Sequence, residues 1–345
     1  MNNAPVVNAT RLQEVIAACA AIGKPLMIWG SPGIGKSESV KQYAKRIEAE
    51  LIDIRLAQYD SVDLRGLPDV DGSTGLTVWR APSTLPLEGS NYPKDKPIVL
   101  FLDEMMQASN AVQSVAFQIV LDRAVGEHKL LPNVIIIAAS NRDTDRAGVG
   151  RMLTPLANRF AHVEMVADIE AWRDWAIQSD IHPLIVGYLS SRPVNLDQFD
   201  AAQKSGAKAF ATPRSWESVS DALKLFDDNR AMAELMTAAM VGEAVALEFN
   251  AFVRNAERIP TLKQIVAAPD KAKVPEDTDA LYAVTSMLMM RVSKEIVEPV
   301  ITYVKRLPME YQTLWLVDVS RSRPDLVAAC PAIVQYQISL GGQLS

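Results

Sequence analysis

The chain has 345 residues, 49% of them hydrophobic and 22% charged, with a mean hydropathy of +0.05. This balance supports a packed core of about two domains and excludes a disordered or disulfide-stapled peptide. With 35 basic against 41 acidic residues and a net charge of -6, the chain has no global positive field to condense nucleic acid or an anionic membrane.

Two cysteines, Cys19 and Cys330, and three histidines, His128, His162 and His182, stand at no ligand-like spacing. They argue against a zinc cluster or disulfide framework and for a reducing compartment, with the imidazoles expected in loops or on the surface. No basic-then-apolar leader opens the chain and no apolar run approaches a membrane span, so a cytoplasmic protein without a membrane segment is expected.

In chain order, helical spacing marks 11–21, and a short β-rich apolar run, Leu26 to Trp29, follows it. Further strands are predicted over 51–57, 98–102, 134–138 and 160–165, with helices over 37–49 and 108–121 between them. Alternation of buried strands with helices is the pattern of a parallel sheet covered on both faces. The strands at 51–57 and 160–165 are less purely apolar and are expected nearer the sheet edges. Turn residues Asp71-Gly72, Thr74-Gly75 and Gly126-Glu127 place hairpins over 70–78 and 123–130. From about residue 168 strand-like runs disappear, and helices are predicted over 169–178, 182–190, 213–226, 230–258, 261–266, 279–306 and 324–338. Thr212 followed by Pro213 is a strong helix start, because the hydroxyl can cap free amides and proline at the first turn loses no bond.

The segment Gly30-Ser31-Pro32-Gly33-Ile34-Gly35-Lys36-Ser37 follows the first buried strand and opens a helix. Its glycines let backbone amides curl round an anion. Lys36 can reach β- and γ-phosphates, and the Ser37 hydroxyl can ligate Mg²⁺, the arrangement of a Walker A loop. The strand Ile98 to Leu102 runs into Asp103 and Glu104. A carboxylate at such a strand end can hold the shell of Mg²⁺ and the next can polarise an attacking water, so Asp103 takes the first role and Glu104 the second. The strand from Val134 ends in Ser140 and Asn141. In a sheet that lodges this strand between the other two, Asn141 sits near the γ-phosphate and can orient the lytic water. ATP and Mg²⁺ are therefore the expected ligands.

In this order the motifs resemble the AAA+ ATPases, and within them the MoxR-like branch, over about residues 7–225. The matching segments are 30–37, Asp63 to Pro68, Phe101 to Glu104, Ala139 to Arg142, Ala157 to Phe160 and Ala211 to Ser215, with the two hairpins in the branch's usual places. The resemblance implies an α/β P-loop NTPase core with a five-stranded parallel sheet over 1–167. A helical lid over 168–228 and a C-terminal helical extension over 229–345 complete the expected domains. Arg159 matches the finger that reaches a neighbouring subunit's γ-phosphate, with Arg146 and Arg151 as rival candidates, and Arg214 matches a lid arginine that contacts phosphate in its own chain. Further implications are a homo-oligomeric, hexameric ring, a protein client and a partner with a von Willebrand factor A domain. A nucleic-acid motor or loader and a non-hydrolysing nucleotide switch are the competing classes, and a P-loop kinase is disfavoured by Asn141, Arg159 and Arg214. The apolar stretch Met287 to Met290 is expected to be helix core.

Overall fold

A computed structural model describes residues 4–145 and 158–344. The chain forms two compact units, Met1–Val166 and Ala167–Ser345.

The first unit is built on a parallel sheet. Its strands are β1 (Val6–Val7), β2 (Leu26–Trp29), β3 (Glu50–Arg55), β6 (Ile98–Asp103), β9 (Val134–Ser140) and β10 (Ala161–Met165), in the spatial order β1-β10-β2-β9-β6-β3. Six strands thus replace the five predicted. The sixth, β1, is a two-residue edge beside β10, pairing Val6 with Glu164 and Val7 with Met165, and is too short to show any periodicity. The half-polar β3 lies at the opposite edge, while β2, β6 and β9 are almost continuously buried and central, as strands covered on both faces must be.

Helices α1 (Ala9–Ala21) and α2 (Lys36–Arg46) pack against each other. Asn8 caps α1 by accepting from the Arg11 amide at 2.9 Å, and Leu12, Ile16 and Cys19 form its buried stripe. In α2, Glu38 in the first turn and Lys45 and Arg46 in the last complement the helix dipole. Alternate residues of the central strands, Met27, Leu100, Leu102, Ile136 and Ala138, build one core with Val112, Ala116 and Ile119 of α4 (Asn110–Asp122).

The two predicted hairpins form. After α3 (Ser61–Arg65), β4 (Leu67–Val70) pairs antiparallel with β5 (Thr77–Arg80), and β7 (Ala124–Val125) pairs with β8 (His128–Lys129). Gly66, between α3 and β4, has φ +86°, and a Cβ there would lie 1.9 Å from the Arg80 carbonyl oxygen. The hairpins touch through the Trp79 carbonyl, 2.9 Å from the His128 ring, while the Arg65 guanidinium lies 4.3 Å above the Trp79 ring centre.

The second unit is helical among its described residues: α5 (Ile169–Gln178), α6 (Pro183–Ser191), α7 (Phe199–Ser205), α8 (Pro213–Leu225), α9 (Arg230–Val241), α10 (Glu243–Ala256), α11 (Leu262–Ala267), α12 (Thr278–Arg291), α13 (Val297–Val304), α14 (Met309–Ser322), α15 (Pro324–Ala329) and α16 (Pro331–Leu344). One hydrophobic core runs through it. Tyr188, Trp216, Phe249 and Phe252 meet at tilted and edge-on angles near its centre, and Trp315, Val319 and Leu288 extend it. The helices predicted as lid and those predicted as extension share this core. Leu288 and Met289 are buried in it, with Met287 and Met290 packed alongside.

Three predicted helices prove to be pairs. The stretch 230–258 breaks at Gly242 (φ +86°), 279–306 breaks between Arg291 and Val297, and 324–338 breaks at Cys330 before Pro331. The helices α7 and α14 were not expected. Both cysteines are free thiols and buried, and among the described residues no helix is long and apolar enough to cross a membrane.

Candidate nucleotide site

The central strands β2, β9 and β6 are neighbours, and each carries one motif at its C-terminal end. Their ladders align Trp29 with Ser140 and Leu102 with Ala138. Gly30, Asn141 and Asp103, far apart in sequence, therefore emerge side by side where parallel α/β sheets bind ligands.

The loop after β2 needs its glycines. Gly30, Gly33 and Gly35 have φ of +156°, +80° and +98°. A Cβ on Gly30 would lie 2.5 Å from Ile34 Cδ1 and 2.6 Å from the Met165 carbonyl oxygen, so the loop closes only over a bare backbone. Ser31 and Ile34 are buried, while Pro32 and Gly33 are half-buried. At the start of α2, Lys36 is only 8% exposed. Its Nζ donates to the carbonyls of Gly30 (2.7 Å) and Ser31 (3.0 Å) and to Asn141 Oδ1 (3.2 Å). All three acceptors are neutral.

The Ser37 hydroxyl donates to Asp103 Oδ2 at 2.7 Å. Two hard oxygen donors thus meet at one point, the donor chemistry that suits a magnesium ion retaining most of its water. The other Asp103 oxygen accepts from the Glu104 amide at 2.9 Å. Asp53, on β3, feels the same charge: burial first, and the Asp103 carboxylate second, push its carboxyl above the usual range. Glu104 has φ +55° and ψ +34°, a left-handed conformation that costs a non-glycine residue about 1–2 kcal/mol and persists only where surroundings enforce it.

Gln107 was not singled out by its sequence. It ends the single 3₁₀ turn Met105–Gln107 that follows β6. With its amide oriented so that both ends are satisfied, it donates to the Glu104 carbonyl (3.2 Å) and Ser140 Oγ (3.1 Å), and accepts from the Asn141 amide (3.2 Å) and Nδ2 (3.0 Å). No sequence signal marks it, because its use depends on the register of strands β6 and β9. Arg142, next to Asn141, is held by Asp145 at 2.9 Å and Glu164 at 3.7 Å.

Of the remaining arginines, Arg159 belongs to the first unit and Arg214 to the second. Arg159 is exposed, just before β10, and the preceding Asn158 carbonyl accepts from Lys24 Nζ at 3.1 Å. Arg146 and Arg151 lie outside the described residues. Arg214 belongs to the second unit, where it is exposed in the first turn of α8 behind the predicted cap: Ser215 donates its amide to Thr212 Oγ1 at 3.1 Å, and Thr212 its amide to Ser215 Oγ at 2.7 Å.

One histidine expectation needs correction, and His182 lies in a loop as expected. His162 lies on strand β10, its ring 6.2 Å from that of Trp29, whose Nε1 donates to His162 Nδ1 at 3.0 Å. His182 caps α6, and burial lowers its pKa from 6.5 to about 4.

Among solved structures, the chain is similar to the Holliday junction branch migration motor RuvB of Thermotoga maritima, at 16% identity over 85% of each chain with a TM-score of 0.38. It is also similar to NtrX of Brucella abortus in complex with ADP, at 17% identity over 96% of this chain and 68% of that one with a TM-score of 0.34. Residues 26–167 match the ATPase family associated with various cellular activities (AAA). That stretch holds β2 with its glycine loop, Asp103, Glu104 and Asn141, and it is an AAA ATPase domain.

Proposed function

We propose that the chain is a ring-forming AAA+ ATPase of the MoxR-like branch, which hydrolyses ATP with Mg²⁺ and couples turnover to remodelling or activating a protein client. What supports the chemistry most is the juxtaposition of Lys36, Ser37, Asp103, Glu104 and Asn141 at the ends of three adjacent strands.

Ser37 and Asp103 would hold the metal, which when bound supplies positive charge to the phosphate oxygens. Lys36 now rests on neutral carbonyl and amide oxygens. Anionic phosphate oxygens are better acceptors, so a triphosphate draws its Nζ away and gains charge-assisted bonds. Backbone amides of the loop from Gly30 to Gly35 and the α2 N-terminus receive the remaining phosphate charge. Glu104 accepts the proton of the attacking water, while Asn141 orients that water. Arg159 reaches the γ-phosphate of a neighbouring subunit, and Arg214 contacts phosphate from its own chain. A cation supplied across an interface contributes about 10³ to 10⁵ in rate in comparable NTPases.

The exposed hairpin β4–β5, together with β7–β8, is the contact surface offered to a client or to a partner with a von Willebrand factor A domain. Leu67, Val70 and Leu76 stand exposed on it. Buried free thiols fit a reducing cytoplasm.

Phosphate release per chain should rise steeply with protein concentration, because the finger comes from a neighbour. Glu104→Gln should lower kcat by roughly 10²- to 10⁴-fold while nucleotide affinity stays within about twofold. Equal turnover per chain in dilute and concentrated protein removes the shared site. Unchanged kcat in Glu104→Gln removes its role as base, and stimulation by DNA or RNA instead of by protein replaces the client with nucleic acid.

A further inference from the structure

The ladder between β6 and β9 stops at Leu102 and Ala138. Beyond it the two residues given the water chemistry, Glu104 and Asn141, are joined by the side chain of Gln107. We infer that Gln107 is a positioning residue, which sets Glu104 and Asn141 relative to each other and decides which end of the Asn141 amide faces the nucleotide.

This inference rests on the hydrolytic reading of the site. Its basis is the match between one side chain and four partners. The Gln107 Nε2 group donates to the Glu104 carbonyl and to Ser140 Oγ, while Oε1 accepts from both Asn141 nitrogens. Only a carboxamide long enough to span the gap offers two donors and an accepting oxygen together. An ionised glutamate cannot donate, lysine and arginine cannot accept, and methionine cannot donate and accepts only weakly.

Two consequences follow for the site. First, the Glu104 carbonyl receives the Gln107 backbone amide at 3.0 Å as well as its side chain at 3.2 Å. These bonds brace the left-handed backbone that aims the Glu104 carboxylate. Second, one Asn141 Nδ2 hydrogen is committed to Gln107, so the amide cannot turn over, and Oδ1 is the end presented to Lys36 Nζ at 3.2 Å. Asn141 therefore meets the lytic water as an acceptor.

The test is Gln107→Met, close in length and without the polar ends, made in the full chain and in an Asn141→Ala background. Positioning predicts a loss of about tenfold to a hundredfold in kcat with KM for ATP within about twofold. In the Asn141→Ala background the same substitution should cost threefold or less, roughly, because the shared target is gone. An unchanged kcat, equal losses in the two backgrounds, or a loss carried by KM overturns the inference. A second readout does not need turnover: affinities for a non-hydrolysable ATP analogue and for ADP should each stay within about twofold in Gln107→Met, as KM does, and a loss of about tenfold in either overturns the inference. A wild-type chain that releases no phosphate refutes the hydrolytic reading and the inference with it, whereas a wild-type chain that turns over, with Gln107→Met unchanged beside it, refutes the positioning by Gln107 alone. Should Gln107→Met fail to fold, Gln107→Glu keeps length and the oxygen facing Asn141 but loses both donors. It should still lower kcat severalfold, roughly, and an unchanged kcat there overturns the inference equally.

Discussion

His182 makes the pH dependence of the helical unit open to calculation. Its Nδ1 accepts from the Leu184 amide at 3.3 Å and caps α6, while its own backbone amide donates to Ser220 Oγ at 2.9 Å. Burial lowers the imidazole pKa from 6.5 to about 4, with Lys224 and Arg291 acting in the same direction and Asp227 and Asp180 opposing. A proton on Nδ1 would destroy the cap acceptor and place positive charge at a helix N-terminus. Above pH 6.5 folded and unfolded chains both keep the ring neutral, so the stabilisation is complete. Between about 6.5 and 4 the unfolded chain binds a proton that the folded chain refuses, and the stabilisation is lost. At about 1.4 kcal/mol per pKa unit the gap amounts to about 3 kcal/mol. His182→Asn keeps a capping side chain and removes the titration. Denaturant unfolding followed by tryptophan fluorescence, from about pH 7 to about pH 4, should show the wild type losing about 3 kcal/mol more than the variant, with a constant difference above about 6.5. Asp318, its carboxyl pushed up to about 6 mainly by burial, acts with the opposite sign. It is common to both chains and drops out of the difference. Parallel pH profiles would refute the assignment.

Two further substitutions probe the nucleotide-binding unit. Gly66→Ala puts a Cβ 1.9 Å from the Arg80 carbonyl at φ +86°, so the Leu67–Arg80 end of the hairpin must open, at a local cost of about 2–4 kcal/mol. Limited proteolysis between 67 and 80 should accelerate at least about tenfold while nucleotide affinity holds, and unchanged protection would show the contact to be wrong. Ser37→Ala removes the hydroxyl that meets Asp103 at 2.7 Å. The Mg²⁺ concentration for half-maximal turnover should rise about tenfold with metal-free nucleotide binding unaltered, and an unaltered Mg²⁺ dependence would take Ser37 out of the metal shell.

The parts of this fold visible in the sequence are those whose physics is local. Apolar runs such as Ile98 to Leu102 mark central strands because both faces are buried, and the glycine spacing from 30 to 35 marks a loop that no Cβ could enter. The helix breaks were also written locally but obscured by continuous helical spacing. Gly242 takes a φ of +86° with a Cβ position 2.9 Å from the Ala209 carbonyl, and Pro331 restarts the chain after an extended Cys330. In α14 the buried residues Tyr311, Trp315, Leu316, Val319 and Ser322 recur at helical spacing, so that helix too is written locally. Other features are not local. Strand β1 exists because β10 offers an edge to Val6 and Val7. His162 shows its use only when β10 lies beside β2 and its ring meets Trp29. Gln107 means nothing until β6 and β9 are in register.

That register ties packing to chemistry. Along β9, Ile136 and Ala138 enter the core beside Leu100 and Leu102, and Ser140 continues the alternation to place its hydroxyl 3.1 Å from the Gln107 side chain. A slip of one residue against β6 would move Asn141 about 3.3 Å along the strand axis and send every second side chain to the other face. The apolar side chains of that face would then leave the core, so the buried alternation makes the slip costly. The interactions that hold β9 in place are therefore the ones that hold Asn141 within reach of Lys36 and Gln107. A core substitution that loosens β9 should weaken turnover before it unfolds the sheet, because a hydrogen bond tolerates far less displacement than an apolar contact.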